Sequence, residues 1–190
     1  MTETERTICR FIDRPPAALY DIGVGLKSEA ATLAAIYPAM HIFGCEPNPE
    51  TFMHLRDFPG TVVEVAIGGG GRSTLYYDAG HPMSGSLFCD SFACCCRVDV
   101  WTLDLFDAVA GRPADVLLWM DIEGGELAAL ESGPELLDSR RAAWINVEER
   151  IDGLGYEPGA LCEFLDTHNY QRMLQYAKHP THNDAIYVRR

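Results

Sequence analysis

Acidic side chains follow two apolar runs that have the character of buried strands. Asp121 and Glu123 come directly after the run VLLWM, and Glu148 follows WINV. Because Asp121 and Glu123 are two residues apart on an extended segment, their side chains project to the same side. Carboxylates grouped in this way could remove a proton from a substrate, contact a cationic ligand, or bind Mg²⁺ or Ca²⁺. The residue types alone leave these alternatives open.

A second candidate site surrounds the segment DIGVG at residues 21–25. Gly23 and Gly25 predict a tight turn between a strand and a helix, with close backbone approach to a ligand. Asp21 precedes the glycines, and Ser28 stands where a dinucleotide-binding fingerprint would have its third glycine, which disfavours a pyrophosphate. Alone, this segment fits an ordinary turn as well as it fits a ligand site.

Glu46 favours the ligand site over the ordinary turn. It ends a second apolar run, 21 residues after Gly25, where an acid can hold both hydroxyls of a ribose. A ribose without phosphate, beside several carboxylates, indicates S-adenosylmethionine, whose sulfonium and ammonium groups are cationic. The alternative is that Glu46 is an exposed acid that caps the helix predicted around Pro49.

The order of the predicted elements indicates how these residues are positioned. Strands are predicted at 18–22, 41–46, 61–67, 73–78, 116–122 and 142–149, and the segment 97–106 begins as a strand and passes into a helix. Helices are predicted between most of the strands, among them one over 48–58 and one that ends with Gly133 as its C-terminal cap and Pro134 beyond it. The segment 79–96 is predicted to be irregular. This alternation predicts a doubly wound, Rossmann-like α/β sheet that is mostly parallel. A closing strand pair within 170–190 adds an antiparallel strand. We therefore expect one domain over residues 1–190, with a core of about 18–150.

The amino-acid composition disfavours some kinds of binding partner. The chain carries 15 Lys and Arg residues against 28 Asp and Glu residues, a net charge of −13. This balance disfavours nucleic acid and anionic membranes as partners.

Three further observations bear on the compartment. No apolar run reaches the roughly 20 residues of a membrane span, and the first ten residues lack an apolar leader. The chain has seven cysteines, an odd number. We expect a cytoplasmic protein with free thiols.

Several motifs resemble one protein family. YDIGVG, CEPNP, VDVWTLDLF, LLWMDIEGGELAALESG and WINVEE occur in the order that is typical of the FkbM family of S-adenosylmethionine-dependent methyltransferases. The resemblance spans about residues 18–150, and NDAIYVRR resembles the family's last strand. It implies a class I methyltransferase fold and usually O-methylation of a hydroxyl on a sugar or a secondary metabolite.

The resemblance also implies roles for individual residues. Those that resemble the family's cofactor site are Asp21, Gly23 and Gly25 in the first motif, Glu46 as the ribose acid, Ala66 and Ile67 beside the adenine, and Asp121 beside the methionine end. Two positions depart from the family's own turn pattern, DIGAN-GxxT, which differs from the dinucleotide fingerprint: Gly25 replaces the usual Asn, and Lys27 lies at the next glycine of that family pattern.

These observations lead to a functional hypothesis and its alternatives. We expect Asp121 to contact cofactor or substrate, and Glu123 and Glu148 to serve as catalytic base or as ligands of Mg²⁺, since some sugar O-methyltransferases of related fold use a metal. For Glu126 we expect only a favourable charge at the first turn of a helix. The acceptor would be a small hydroxylated molecule. The alternatives are a methyltransferase-like binding module without turnover and an NAD-dependent oxidoreductase.

Overall fold

Strands and helices alternate along most of the chain in the computed structural model, which describes residues 3–78, 80–89 and 91–190. The helices are α1 (Glu3–Ile8), α2 (Ala30–Ile36), α3 (Pro49–Phe52), α4 (Leu103–Val109), α5 (Glu126–Glu131), α6 (Pro134–Asp138) and α7 (Ala160–Thr167). The strands are β1 (Ala18–Ile22), β2 (His41–Cys45), β3 (Thr61–Val63), β4 (Ala66–Ile67), β5 (Gly71–Asp78), β6 (His81–Ser86), β7 (Cys94–Trp101), β8 (Val116–Met120), β9 (Ala142–Arg150), β10 (Tyr170–His179) and β11 (His182–Arg189).

Seven strands form the main sheet, in the order β10–β11–β9–β8–β1–β2–β3. The strands β9, β8, β1, β2 and β3 pair in parallel, whereas β11 pairs antiparallel with β9 and with β10. Every residue of β1 and β8 is buried, and for this reason both strands are continuous apolar runs in the sequence. The predicted doubly wound sheet, mostly parallel with an antiparallel C-terminal strand, is confirmed.

Two hydrophobic clusters lie on opposite faces of this sheet. Leu19 of β1 belongs to the cluster that α1 and α2 cover, through Ile8 and Leu33. Its neighbour Tyr20 belongs to the other cluster, which α4 to α7 cover through residues such as Leu161. Because successive strand residues point to opposite faces, this alternation places helices on both sides. The carboxyl ends of the parallel strands remain as one open edge, where ligands bind in sheets of this kind.

A second sheet, which the sequence did not predict, has four strands in the order β4–β7–β5–β6. The prediction of a single third strand over 61–67 is wrong, because this segment divides into β3 of the main sheet and β4 of the second sheet. The prediction of an irregular segment over 79–96 is also wrong, because it contains β6 and the start of β7. Residues 79 and 90 within that segment lie outside the described residues.

Two helix predictions also need correction. The helix expected over 48–58 ends at Phe52, and only a separate 3₁₀ turn at Leu55–Asp57 follows it. Pro134 lies beyond the end of α5, as expected, and it also begins a further helix, α6. Gly133 is the N-cap of that helix with a φ of −120°, outside the left-handed region that a glycine at a helix C-terminus adopts.

Helix α1 and the segment after it pack against the main sheet. Ile8 is fully buried, and the Trp144 indole Nε1–H donates a 3.1 Å hydrogen bond to the Phe11 carbonyl oxygen. The N-terminal segment is thereby fixed to β9. Over the described ranges of the chain, none of the helices has the length and apolar character needed to cross a membrane.

Candidate active site

A cleft of about 580 Å³ opens at the carboxyl ends of the parallel strands. The lining comes from the segments that follow β1, β2 and β8 and from three strands of the second sheet. Six of the predicted cofactor residues line it, namely Gly23, Gly25, Glu46, Ala66, Ile67 and Asp121.

The glycine turn after β1 brings the ends of three strands together. The Gly23 and Val24 N–H groups both donate to the Cys45 carbonyl oxygen, at 3.0 and 3.1 Å. Gly23 has a φ of +88°, and a Cβ there would lie 2.2 Å from the Asp121 carbonyl oxygen. The tight turn expected at this glycine therefore exists, and the group that approaches Gly23 is the backbone of Asp121, directly after β8. Close approach to a ligand stays a prediction.

Asp21 lies behind this turn rather than in the lining of the cleft. Its side chain is 3% exposed, and its carboxylate accepts a 2.5 Å hydrogen bond from the Ser28 hydroxyl. Ser28 Oγ in turn accepts from the Ala30 N–H at the start of α2. Burial raises the pKa of Asp21 to about 7, against the opposing effect of the Ser28 hydrogen bond. Asp21 and Ser28 thus connect β1 to α2 and hold the turn in place.

Glu46 is a buried acid with both carboxylate oxygens engaged. Its Oε2 accepts from the Gly25 N–H at 2.9 Å, and its Oε1 accepts from the Asn48 N–H at 2.8 Å. Burial raises its pKa, and these two hydrogen bonds oppose that shift. The alternative of an exposed helix cap is wrong, because Asn48 itself caps α3 by accepting from the Glu50 N–H. Each oxygen of Glu46 keeps a second lone pair for a ligand hydroxyl.

The turn after β8 is shaped by Glu126, which is fully buried. Its carboxylate accepts from the Ile122 N–H at 3.0 Å and from the Gly124 N–H at 3.1 Å. Burial raises the pKa of Glu126 to about 7, although the backbone hydrogen bonds favour the charged form. The expectation of a simple surface charge at the first helical turn is therefore incomplete, since this carboxylate organises the loop that carries Asp121 and Glu123.

Asp121, Glu123 and Glu148 converge at one end of the cleft and are termed the acid cluster. One carboxylate oxygen from each lies within 4.8 Å of the others. Asp121 and Glu123 line the cleft, whereas Glu148 is 2% exposed and lies behind them. Glu123 adopts a left-handed backbone with a φ of +53°, a costly conformation for a residue with a side chain.

Arg150 supplies a positive charge inside the acid cluster. Its Nη1 donates to Glu123 Oε2 at 2.8 Å and to Glu148 Oε1 at 3.2 Å. A divalent ion placed among these carboxylates would lie next to a guanidinium that two of the three already bind. The acid cluster therefore does not fit a resident Mg²⁺ ion, although three carboxylates at this spacing would otherwise suit one.

His182 approaches the acid cluster from the C-terminal hairpin. Its Nε2 lies 3.4 Å from Glu148 Oε2, and its imidazole stacks on that of His179 with 5.2 Å between the ring centroids. The pairing of β11 with β9 sets His182 opposite Arg150. The hairpin that ends the chain thus contributes a histidine behind the carboxylates that face the cleft.

The family follows from a comparison of the whole sequence. A family model described as the methyltransferase FkbM domain matches residues 21–172. The chain belongs to the FkbM methyltransferase family. S-adenosylmethionine is the methyl donor of this class of enzymes, and six of the residues predicted to contact that cofactor line the cleft. No curated protein sequence matches the chain closely enough to count as a relative.

Solved structures support the fold of this FkbM methyltransferase. Precorrin-6y C5,15-methyltransferase from Geobacter metallireducens GS-15 is 17% identical, with a TM-score of 0.53 over 98% of this chain and 87% of that one. Magnesium protoporphyrin IX methyltransferase from Synechocystis PCC 6803, with bound S-adenosylmethionine, is 11% identical, with a TM-score of 0.54 over 99% and 77% of the two chains. The human methyltransferase 10 domain containing protein is 13% identical, with a TM-score of 0.53 over 98% and 78%.

Sequence reasoning missed three residues at the site of this FkbM methyltransferase. They are Ser86, whose hydroxyl donates to the Glu123 carbonyl oxygen at 2.7 Å, Glu126, and Arg150. Glu126 lies within one of the motifs that carry the resemblance and Arg150 directly follows another, so their positions were visible but their roles were not. Ser86 belongs to β6, in a segment that was expected to be irregular.

Proposed function

We propose that this protein transfers the methyl group of S-adenosylmethionine to a hydroxyl oxygen of a small acceptor. The observation that carries the proposal is the convergence of Asp121, Glu123 and Glu148 at one end of the same cleft that contains Glu46. When bound, the cofactor supplies an electrophilic methyl group on a sulfonium. The protein must then hold the acceptor oxygen in line with that methyl group and receive the hydroxyl proton.

The residues of the cleft divide into a cofactor side and an acceptor side. Glu46 is suited to hold the ribose hydroxyls, and the nearly buried Ala66 and Ile67 offer an apolar wall for the adenine. Asp121 is the member of the acid cluster whose backbone carbonyl approaches the glycine turn, and its side chain would contact the methionine end or the acceptor. A chain with a net charge of −13 fits a small hydroxylated acceptor better than a nucleic acid.

Glu123 is the residue that we assign as the base, because it lines the cleft and belongs to the acid cluster. Its carboxylate would accept the acceptor's hydroxyl proton as the oxygen takes the methyl group. Glu148 lies behind it, shares Arg150 with it and contacts His182. We therefore assign Glu148 to the support of Glu123 and Arg150 rather than to direct contact with the acceptor.

Release of S-adenosylhomocysteine across a panel of sugars and hydroxylated metabolites tests the proposal. In Glu123→Gln we expect kcat to fall by roughly 100-fold, as for loss of a general base, while the affinity for S-adenosylhomocysteine is unchanged. The matched control is Glu131→Gln, which removes an exposed acid at the end of α5. Full turnover in Glu123→Gln would refute the assignment of the base. Cofactor binding without turnover on any acceptor would support the binding-module alternative.

A further inference from the structure

Arg150 is held against two members of the acid cluster, Glu123 and Glu148, by more contacts than one ion pair requires. Its side chain is 7% exposed, and its Nε and Nη2 donate to the two carboxylate oxygens of Asp152 at 3.1 and 2.5 Å. This two-point contact fixes the plane of the guanidinium. The Nη1 group then points at Glu123 and Glu148 together, at 2.8 and 3.2 Å.

The surroundings keep this guanidinium charged. Burial lowers the pKa of Arg150, but the hydrogen bonds and charges of Asp152, Glu123 and Glu148 outweigh burial and raise it. The strand end is also fixed, because the Arg150 N–H donates to the Tyr156 hydroxyl at 3.0 Å. A permanent positive charge in a fixed position is therefore built into β9.

Such a charge performs the electrostatic task that a hard divalent cation performs among grouped carboxylates. Three carboxylates with oxygens within 4.8 Å of one another repel each other strongly unless a cation lies among them. A cation at this place lowers that repulsion and sets the direction of each carboxylate. Arg150 does both for Glu123 and Glu148 without a dissociable ion.

We propose that Arg150 is a built-in cation, a positioning residue that replaces Mg²⁺ in the acid cluster and makes methyl transfer independent of divalent metal. The inference rests on the proposed function for its catalytic part. Arg150 acts through Glu123, which it holds toward the cleft, and it does not itself need to contact the acceptor.

Metal dependence of the wild-type enzyme is the first test. With an acceptor found by the panel above, turnover should be the same in EDTA and in added Mg²⁺. Arg150→Gln should lower kcat by roughly 100-fold, with a smaller change in KM for the cofactor. Arg150→Lys should be intermediate, since lysine keeps the charge and loses the forked geometry. Added Mg²⁺ should partly restore turnover of Arg150→Gln, which a purely structural role would not explain.

A binding test needs no acceptor. Mg²⁺ is titrated by calorimetry into the S-adenosylhomocysteine complexes of the wild type, Arg150→Gln and the matched control Arg172→Gln. The control removes a guanidinium that pairs with Glu149, outside the acid cluster. We expect Mg²⁺ to bind Arg150→Gln on the order of tenfold or more tighter than the other two, because the repulsion of the guanidinium is gone.

The outcomes separate this inference from the proposed function. Loss of wild-type turnover in EDTA that Mg²⁺ restores would overturn the role of Arg150 and leave O-methylation intact. Equal Mg²⁺ affinity in the three proteins would also overturn it. If Arg150→Gln does not fold, the inference is still tested by wild-type turnover in EDTA and in Mg²⁺ and by the turnover of Arg150→Lys. Absence of turnover in the wild type, with S-adenosylhomocysteine bound, would count against the proposed function alone, because the Mg²⁺ titration stands without it.

Discussion

Glu46 connects the glycine turn to the segment after β2 through its two carboxylate oxygens, which accept from Gly25 and Asn48. If it also holds the ribose, Glu46→Ala should weaken the binding of S-adenosylhomocysteine by roughly 10–100-fold, because hydrogen bonds to a charged group are lost. Glu46→Gln, which keeps one carbonyl oxygen, should be intermediate. Calorimetry measures both, with Glu131→Gln as the control. Wild-type affinity in Glu46→Ala would exclude the ribose role.

Glu126 predicts a dependence of stability on pH. Its pKa rises from 4.5 to about 7 on folding, so this carboxyl favours the folded state most when protonated. That contribution is fully present below about pH 4.5 and is lost as the pH rises through about 7. Relative to Glu126→Gln, the wild-type free energy of unfolding should therefore fall by up to about 3 kcal/mol between about pH 4.5 and 8, at about 1.4 kcal/mol per pKa unit.

Urea unfolding of the wild type and Glu126→Gln across this pH range measures the effect. The glutamine can still accept the backbone N–H groups with its carbonyl oxygen, so the loop after β8 should remain. Glu131→Gln lies on the exposed side of the same helix and is the control. A difference between the wild type and Glu126→Gln that stays constant with pH would mean that folding does not raise the pKa of this carboxyl.

At the scale of the elements, the turn between β1 and α2 is tightly constrained at Gly23. Gly23→Ala would put a Cβ 2.2 Å from the Asp121 carbonyl oxygen at a φ of +88°. Gly153→Ala has nearly the same φ, +81°, with nothing within 4 Å, so it isolates the backbone cost of about 1–2 kcal/mol. We expect Gly23→Ala to lose about 1–3 kcal/mol more and to weaken cofactor binding. Equal melting temperatures of Gly23→Ala and Gly153→Ala would show that the turn after β1 can move away from the Asp121 carbonyl oxygen at little cost in stability.

The sequence predicts well those elements whose residues are buried on both sides. The runs ALYDI and VLLWM are β1 and β8 because a strand covered by helices must be apolar throughout. Glu46, Asp121 and Glu123 lie at the edge formed by the carboxyl ends of the parallel strands, and this edge could be predicted from the alternation of strands and helices alone. The candidate site could be predicted from the sequence because parallel strands bring their carboxyl ends together.

The second sheet could not be predicted in the same way. β4 has two residues, and its partner β7 lies more than thirty positions later, through pairs such as Ala66↔Val100. Strands that pair over such a separation in sequence show no local periodicity from which the pairing could be predicted. The roles of Glu126 and Arg150 were hidden for a related reason, since each depends on hydrogen bonds that exist only once the turns after β8 and β9 have formed.

At the scale of the whole molecule, charge should distinguish the cofactor from its product. The net charge of −13 creates a negative field that attracts cations and is screened beyond about 10 Å at 0.1 M salt. S-adenosylmethionine carries one more positive charge than S-adenosylhomocysteine and is otherwise nearly the same molecule. The two ligands therefore form a matched pair in which only the sulfonium charge differs.

Stopped-flow association with both ligands, at low and high salt, checks this effect. Raising KCl from about 20 mM to about 300 mM should slow association of S-adenosylmethionine by roughly two- to threefold and leave that of S-adenosylhomocysteine nearly unchanged. Because steering acts on the encounter, the dissociation rates should change much less. If both ligands slow equally, the acids at the cleft do not act on the sulfonium. In that case the acidity of the chain would serve solubility rather than recognition of the cofactor.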